Sequence, residues 1–152
     1  MSSDTYTTAL RLLSIRELSE RQLRQRLATR GHDQASIDEA IARLTASKSL
    51  DDVRVAGAIA RTAVTVRRRG KLRVLRQIEA AGIARDVATR AVDEVFQDVD
   101  DTALLEASLE KRLRGRTRIA DDREFQRLYR YLMTQGFEPD RILAALRKRR
   151  SG

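Results

Sequence analysis

The amino-acid sequence repeats itself loosely at intervals of roughly 50 residues. The repeats align on three glycines: Gly31, Gly82 and Gly136. An aliphatic residue stands four positions and again eight positions before each glycine; these residues are Leu27, Ile78 and Leu132, and Leu23, Val74 and Leu128. A glycine directly after a helix commonly adopts the left-handed conformation that ends it. Each repeat therefore predicts two helices, a glycine and a third helix.

The apolar residues follow helical spacing along almost the whole chain, and no segment alternates as a β-strand does. Seven glycines and one proline are also few turn-forming residues for an all-β chain of 152 residues. We predict an all-α protein of three tandem three-helix repeats at 5–48, 49–97 and 98–150. A three-helix unit of this size buries little surface alone, so the repeats are expected to stack into an elongated, curved body.

Polar residues mark the expected helix starts. Three serines are predicted helix caps: Ser19 and Ser36, in capping boxes with Gln22 and Glu39, and Ser49. Three aspartate pairs also lie near expected helix starts: Asp51–Asp52, Asp100–Asp101 and Asp121–Asp122. These carboxylates suit the positive end of a helix dipole better than they suit a metal site.

Several functional classes are disfavoured by what the chain lacks. It has no cysteine, and its one histidine, His32, follows the Gly31 turn. It also has no glycine-rich phosphate loop, nucleophile elbow or HExxH pattern. We therefore expect no enzyme activity, no cofactor and no metal site. No apolar segment suits a signal peptide or a membrane span, so a cytoplasmic protein is expected.

The excess of basic residues points to an anionic partner. The chain has 31 Lys and Arg against 22 Asp and Glu, a net charge of +9, which suits nucleic acid or an acidic protein surface. Arginine binds phosphate and carboxylate groups bidentately. The candidate contact residues are Arg67, Arg68, Arg69, Lys71, Arg73, Arg116, Arg118 and Arg147. The alternative for each cluster is a solvated face with helix C-terminal charge.

Sequence-specific DNA recognition receives less support than non-specific binding. No helix combines Asn, Gln and Arg as a recognition helix does. Single-strand binding needs exposed aromatic rings, yet Phe125 and Tyr129 belong to an apolar helical stripe, and Tyr131 alone in this segment lies off it. A basic helical protein that competes for single-stranded DNA remains an alternative, as does a helical adaptor for another acidic protein.

Four motifs in this order resemble the bacterial RecX regulatory family. They are "ALRLLSIRELSERQLRQRLATRG", "LDDVRVA", "GKLRVLRQIEAAGI" and "LMTQGF". The similarity extends over residues 6–149. The chain departs from the family pattern at Val55, where an aromatic residue is usual, at Leu50, where tyrosine is common, and at Gln135, where a basic residue often precedes Gly-Phe. The residues that match the family's structural motifs are Leu50, Asp51, Asp52, Arg54, Ala56, Gly70, Gly82, Gly136 and Phe137.

The resemblance to the RecX family implies tandem three-helix repeats and a particular partner, the RecA recombinase filament. Such proteins are negative modulators of RecA in DNA repair, homologous recombination and the SOS response. They bind in the groove of the RecA–ssDNA filament and suppress its ATPase, strand-exchange and coprotease activities. By this resemblance we expect a monomer that acts on RecA, with no membrane association and possible non-specific contact with DNA.

Overall fold

The computed structural model describes residues 2–150, with side chains from Asp4 onward. This part of the chain contains nine α-helices and no strand, which confirms the all-α prediction. The helices are α1 (Ser2–Ile15), α2 (Glu20–Thr29), α3 (Gln34–Ala46), α4 (Asp52–Thr65), α5 (Lys71–Ala80), α6 (Arg85–Gln97), α7 (Asp101–Leu113), α8 (Asp122–Gln135) and α9 (Pro139–Arg150).

The three aligned glycines follow α2, α5 and α8, as the repeat predicts. Their φ angles are +89°, +86° and +100°, in the left-handed region that favours glycine. After α2 the N–H of His32 donates to the carbonyl of Leu27 at 3.2 Å, and after α8 the N–H of Phe137 donates to that of Leu132 at 3.3 Å. The aliphatic residue four positions before the glycine thus accepts the hydrogen bond that closes these two helix ends.

The helix starts confirm one of the three predicted serine caps. Ser19 caps α2 in a complete capping box with Gln22. The prediction for Ser36 is wrong, because Asp33 caps α3 by accepting the N–H of Ser36 at 2.8 Å. The prediction for Ser49 is also wrong. Asp51 Oδ1 accepts the N–H of Val53 at 3.0 Å at the start of α4, and the Ser49 hydroxyl instead lies 3.0 Å from that of Ser47.

The chain divides into two compact units. Unit 1 comprises the chain through Ala58 together with Ile78–Ala91, and unit 2 comprises Ile59–Gln77 and the chain from Val92 onward. Helices α4, α5 and α6 each contribute residues to both units. The division into repeats at 5–48, 49–97 and 98–150 therefore stays a prediction.

Each unit has its own apolar core. The core of unit 1 is formed by Ala9, Leu12, Leu18, Leu23, Leu27, Ile37, Ile41, Leu44 and Leu50. The core of unit 2 is formed by Leu105, Leu109, Leu113, Ile119, Leu128, Leu132, Phe137, Ile142, Ala145 and Leu146. Aliphatic side chains dominate both cores, in keeping with the low aromatic content of 4%. Among residues 2–150, no helix is long and apolar enough to span a bilayer.

Candidate partner-binding surface

The arginine-rich turn between α4 and α5 is a left-handed reversal of the chain. Arg68 has φ of +54°. Its N–H donates to the carbonyl of Val64 at 3.1 Å, and the N–H of Arg69 donates to that of Ala63 at 2.9 Å. These bonds end α4 and turn the backbone outward. The side chains of Arg67 and Arg68 are exposed as a result.

This turn docks onto the turn after α8, within unit 2. The N–H of Gly70 donates to the carbonyl of Gln135 at 2.9 Å, and the N–H of Leu72 donates to that of Gly136 at 3.0 Å. A Cβ atom on Gly70 would lie 2.5 Å from the carbonyl carbon of Gly136. Glycine at 70 therefore permits a backbone approach that no other residue would allow.

The docking of the two turns involves two of the predicted contact residues. The Arg69 guanidinium donates to the side-chain oxygen of Gln135, and that of Arg73 donates to the carbonyl of Thr134 at 3.2 Å. Burial, together with the positive charges of Arg73 and Arg67, lowers the pKa of Arg69. Gln135, where the family often has a basic residue, thus accepts a hydrogen bond from an arginine that is itself crowded by positive charge.

Lys71 faces a partly buried carboxylate in unit 2. Its Nζ lies 5.6 Å from the centre of the Phe96 ring. Burial raises the pKa of Asp101, while the charges of Arg141 and Lys71 act in the opposite direction. Arg141 Nε lies 3.7 Å from Asp101 Oδ2. Lys71 therefore helps to compensate a charge inside unit 2.

Arg116 organises the start of α8. Its guanidinium donates to both oxygens of Glu124, at 3.0 Å to Oε1 and 2.5 Å to Oε2, and the N–H of Ala120 donates to Oε1 at 2.8 Å. The hydrogen bonds from Arg116 and Ala120 lower the pKa of Glu124 to about 2. Arg118 and Arg147 are exposed, in the α7–α8 connection and on α9.

The outer face of α8 carries basic residues absent from the set of candidates predicted from sequence. Arg123, Arg127 and Arg130 are spaced four and three residues apart and are all exposed. The Arg112 guanidinium lies 3.8 Å from the centre of the half-buried Tyr131 ring. The signal for the arginine stripe was available, because this spacing places side chains on one helix face.

Positive charge is concentrated in unit 2. This unit contains 20 of the 31 basic residues and 12 of the 22 acidic residues, a net charge of +8 out of the chain's +9. We use the name basic face for its exposed arginines in the α4–α5 turn, on α5 and on α8: Arg67, Arg68, Arg76, Arg123, Arg127 and Arg130. A groove of about 420 Å³ beside it is lined by Arg73, Arg76, Gln77 and Thr134.

The "LDDVRVA" motif makes its contacts inside unit 1. Leu50 and Ala56 are buried. Asp52 accepts the N–H of Glu20 at the start of α2, at 2.8 Å. Arg54 lies 2.6 Å from the carboxylate of Glu17 and also donates to the carbonyl of Lys48 at 2.8 Å. The motif thus joins the start of α4 to the start of α2.

The remaining motif residues and the histidine have packing contacts. At Gly82 a Cβ atom would lie 2.2 Å from the Arg21 side chain, and Phe137 is buried in the core of unit 2. His32 Nδ1 lies 2.7 Å from the Thr5 hydroxyl. Among the residues that the structure describes, no three His, Cys, Asp or Glu side chains could hold a metal ion together.

The fold and the surface together define a class: helical proteins built from three-helix modules with a strongly basic surface. Family models confirm the modules. Residues 6–44 match the model for "RecX, first three-helix domain", and residues 98–146 match that for "RecX, third three-helix domain".

Relatives and solved structures agree with these matches. The chain is 35% identical over 138 residues to the regulatory protein RecX of Halorhodospira halophila, covering 90% of this chain and 83% of that one. It is 29% identical over 136 residues to that of Syntrophotalea carbinolica, covering 89% of each. The crystal structure of RecX from Lactobacillus salivarius superposes with a TM-score of 0.84 at 20% identity, covering 97% of this chain and 95% of that one. The chain belongs to the RecX family of regulatory proteins.

Proposed function

We propose that this protein is a negative regulator of RecA that binds in the groove of the RecA–ssDNA filament. In this role it inhibits the ATPase, strand-exchange and coprotease activities of the filament. Membership in the RecX family supports the regulatory role. The observation that carries the proposal for this chain is the basic face of unit 2, the unit that holds +8 of the chain's net charge of +9.

The mechanism that we propose needs no catalysis. Positive charge steers the protein toward a groove that combines acidic protein surface with DNA phosphate. Three repeats, at 5–48, 49–97 and 98–150, would allow contact with more than one RecA protomer, and several weak contacts made together gain avidity. Neighbouring protomers held in one relative orientation cannot complete the rearrangements that ATP hydrolysis requires. Occupancy of the groove also excludes substrates of the coprotease.

The arginine stripe on α8 favours a second candidate function. Arg123, Arg127 and Arg130 form a row of exposed charges suited to a phosphate backbone. A protein that simply binds single-stranded DNA would inhibit RecA by competition. Such binding would weaken steeply with salt, because counterions are released from the DNA.

Titration of the ssDNA-dependent ATPase of RecA distinguishes these functions. We expect inhibition at ratios well below one molecule per RecA protomer, because each bound molecule restrains several protomers. Inhibition that appears only near saturation of the DNA, and that extra DNA relieves, would favour the competitor. The absence of any effect would contradict regulation of RecA by this chain.

A further inference from the structure

The groove between α5 and α8 is lined by a cluster of hydrogen-bond donors. Arg73 and Arg76 line it together with Gln77 and Thr134. One nitrogen of the Arg73 guanidinium donates to the Thr134 carbonyl at 3.2 Å, which holds the side chain in place and leaves its other N–H groups for a ligand. The Thr134 hydroxyl donates to the Arg130 carbonyl at 2.9 Å. The donors that remain are two guanidinium groups and one amide.

The groove has the charge and the supply of donors that an anion requires. None of its lining residues is acidic. Within residues 4–150, Arg76 makes no side-chain hydrogen bond or ion pair, and it is exposed. Arginines in such a setting bind planar carboxylates through two parallel hydrogen bonds. The Arg73 guanidinium is already held by the Thr134 carbonyl, so it loses less conformational freedom when a ligand binds.

We infer that this groove binds a carboxylate-rich peptide segment of the partner protein. The inference rests on the proposed function and names the chemistry of one contact within it. Two observations favour a peptide over a nucleic acid strand. Single strands are held largely by stacking on aromatic rings, and no aromatic residue lines the groove. Tyr131, which is also on α8, already has the Arg112 guanidinium over its ring.

The groove is shallow and open, with a volume of about 420 Å³. A few acidic side chains of an extended peptide can therefore reach its guanidinium groups together.

Fluorescence anisotropy with two labelled probes tests the inference. The first probe is a short peptide of glutamate, aspartate and glycine, and the second is a single-stranded oligothymidylate. We expect Arg76→Glu to weaken peptide binding by about tenfold or more, since a charge-assisted contact is lost and a repulsive one replaces it. Arg76→Lys retains the charge but lacks the planar guanidinium group. Its affinity for the peptide should lie between those of the wild type and Arg76→Glu.

Arg61→Glu is the matched control. Arg61 is exposed on α4 in unit 2, and Arg61→Glu changes the net charge by the same amount as Arg76→Glu. Peptide binding should therefore change by no more than about twofold. Equal loss with both Glu variants would overturn the inference, because only total charge would then matter. Loss of oligothymidylate binding alone with Arg76→Glu would also overturn it, in favour of a nucleic acid ligand.

The ATPase assay separates this inference from the proposed function. If the wild-type protein inhibits RecA but fails to bind the acidic peptide, the groove inference is wrong and the regulatory function stands. If it binds the peptide through Arg76 but leaves RecA unaffected, the groove inference stands and the proposed function is wrong. Circular dichroism confirms that each variant is folded.

Discussion

Glu124 shows how a single carboxylate orders the start of a helix. It accepts hydrogen bonds from the Arg116 guanidinium and from the N–H of Ala120, at 2.8 Å for the latter. Its own N–H donates to Asp121, which caps α8, at 2.9 Å. Arg116, a candidate contact residue from sequence, therefore has a structural task in unit 2.

Replacement of this carboxylate should change how stability depends on pH. The pKa of Glu124 is lowered from 4.5 to about 2, so its ionised form stabilises the fold. That contribution is complete above pH 4.5 and is lost as the pH falls toward about 2. We expect Glu124→Gln to unfold more easily at neutral pH and to lose less stability over this acid range than the wild type.

Denaturant unfolding at a series of pH values measures this effect. Glu39→Gln is the control, because Glu39 is an exposed carboxylate on α3. It should reproduce the wild-type pH dependence. A Glu124→Gln curve parallel to the wild type would show that the Arg116–Glu124 pair contributes nothing to acid stability.

Helix boundaries depend on which of several neighbouring polar residues caps the helix. The pair Ser36 and Glu39 predicts a capping box, and the structure instead places the cap three residues earlier, at Asp33. Ser36 is buried within the first turn of α3. The capping-box pattern therefore located the start of α3 to within a turn, but it missed the aspartate that provides the cap.

The turn after α8 requires glycine for two separate reasons, which are a positive φ angle and a close contact with α5. Gly136 has φ of +100°, and a Cβ atom there would lie 2.3 Å from Arg73 Cβ. Gly115, in the turn after α7, has only the first of these features. Its φ is +86°, and nothing lies within 4 Å of a Cβ position there. Gly115→Ala should cost about 1–2 kcal/mol in unfolding free energy from backbone strain alone.

We expect Gly136→Ala to cost about 1–3 kcal/mol more than Gly115→Ala, since the added methyl group also forces the two turns apart. Urea unfolding of both variants measures the difference. Equal costs would mean that the α8 turn shifts freely and that its docking against Arg73 adds little to the stability of unit 2.

Positive charge is distributed unevenly across the whole chain. Unit 2 has a net charge of +8, and unit 1 has +1. Arg67 and Arg68 are exposed in unit 2, and their side chains make no hydrogen bond or ion pair within residues 4–150. Among the described residues, they are the members of the basic turn that can be reversed in charge at least cost to the fold.

We expect Arg67→Glu with Arg68→Glu to raise the concentration for half-inhibition of the RecA ATPase by about tenfold or more, because two attractive contacts become repulsive. Arg11→Glu with Arg16→Glu makes the same change in charge at exposed positions of unit 1. This control variant should shift the concentration for half-inhibition by no more than about twofold. Equal shifts would show that the basic face has no special role.

The sequence determined the helical class, the position of each aligned glycine turn and the excess of positive charge. These follow from interactions within a few residues and from total charge, which a linear pattern contains. Tertiary structure alone decided which arginines remain available. Arg69 and Arg73 are engaged by Gln135 and Thr134, more than 60 residues away, and no local pattern states which distant turns will dock.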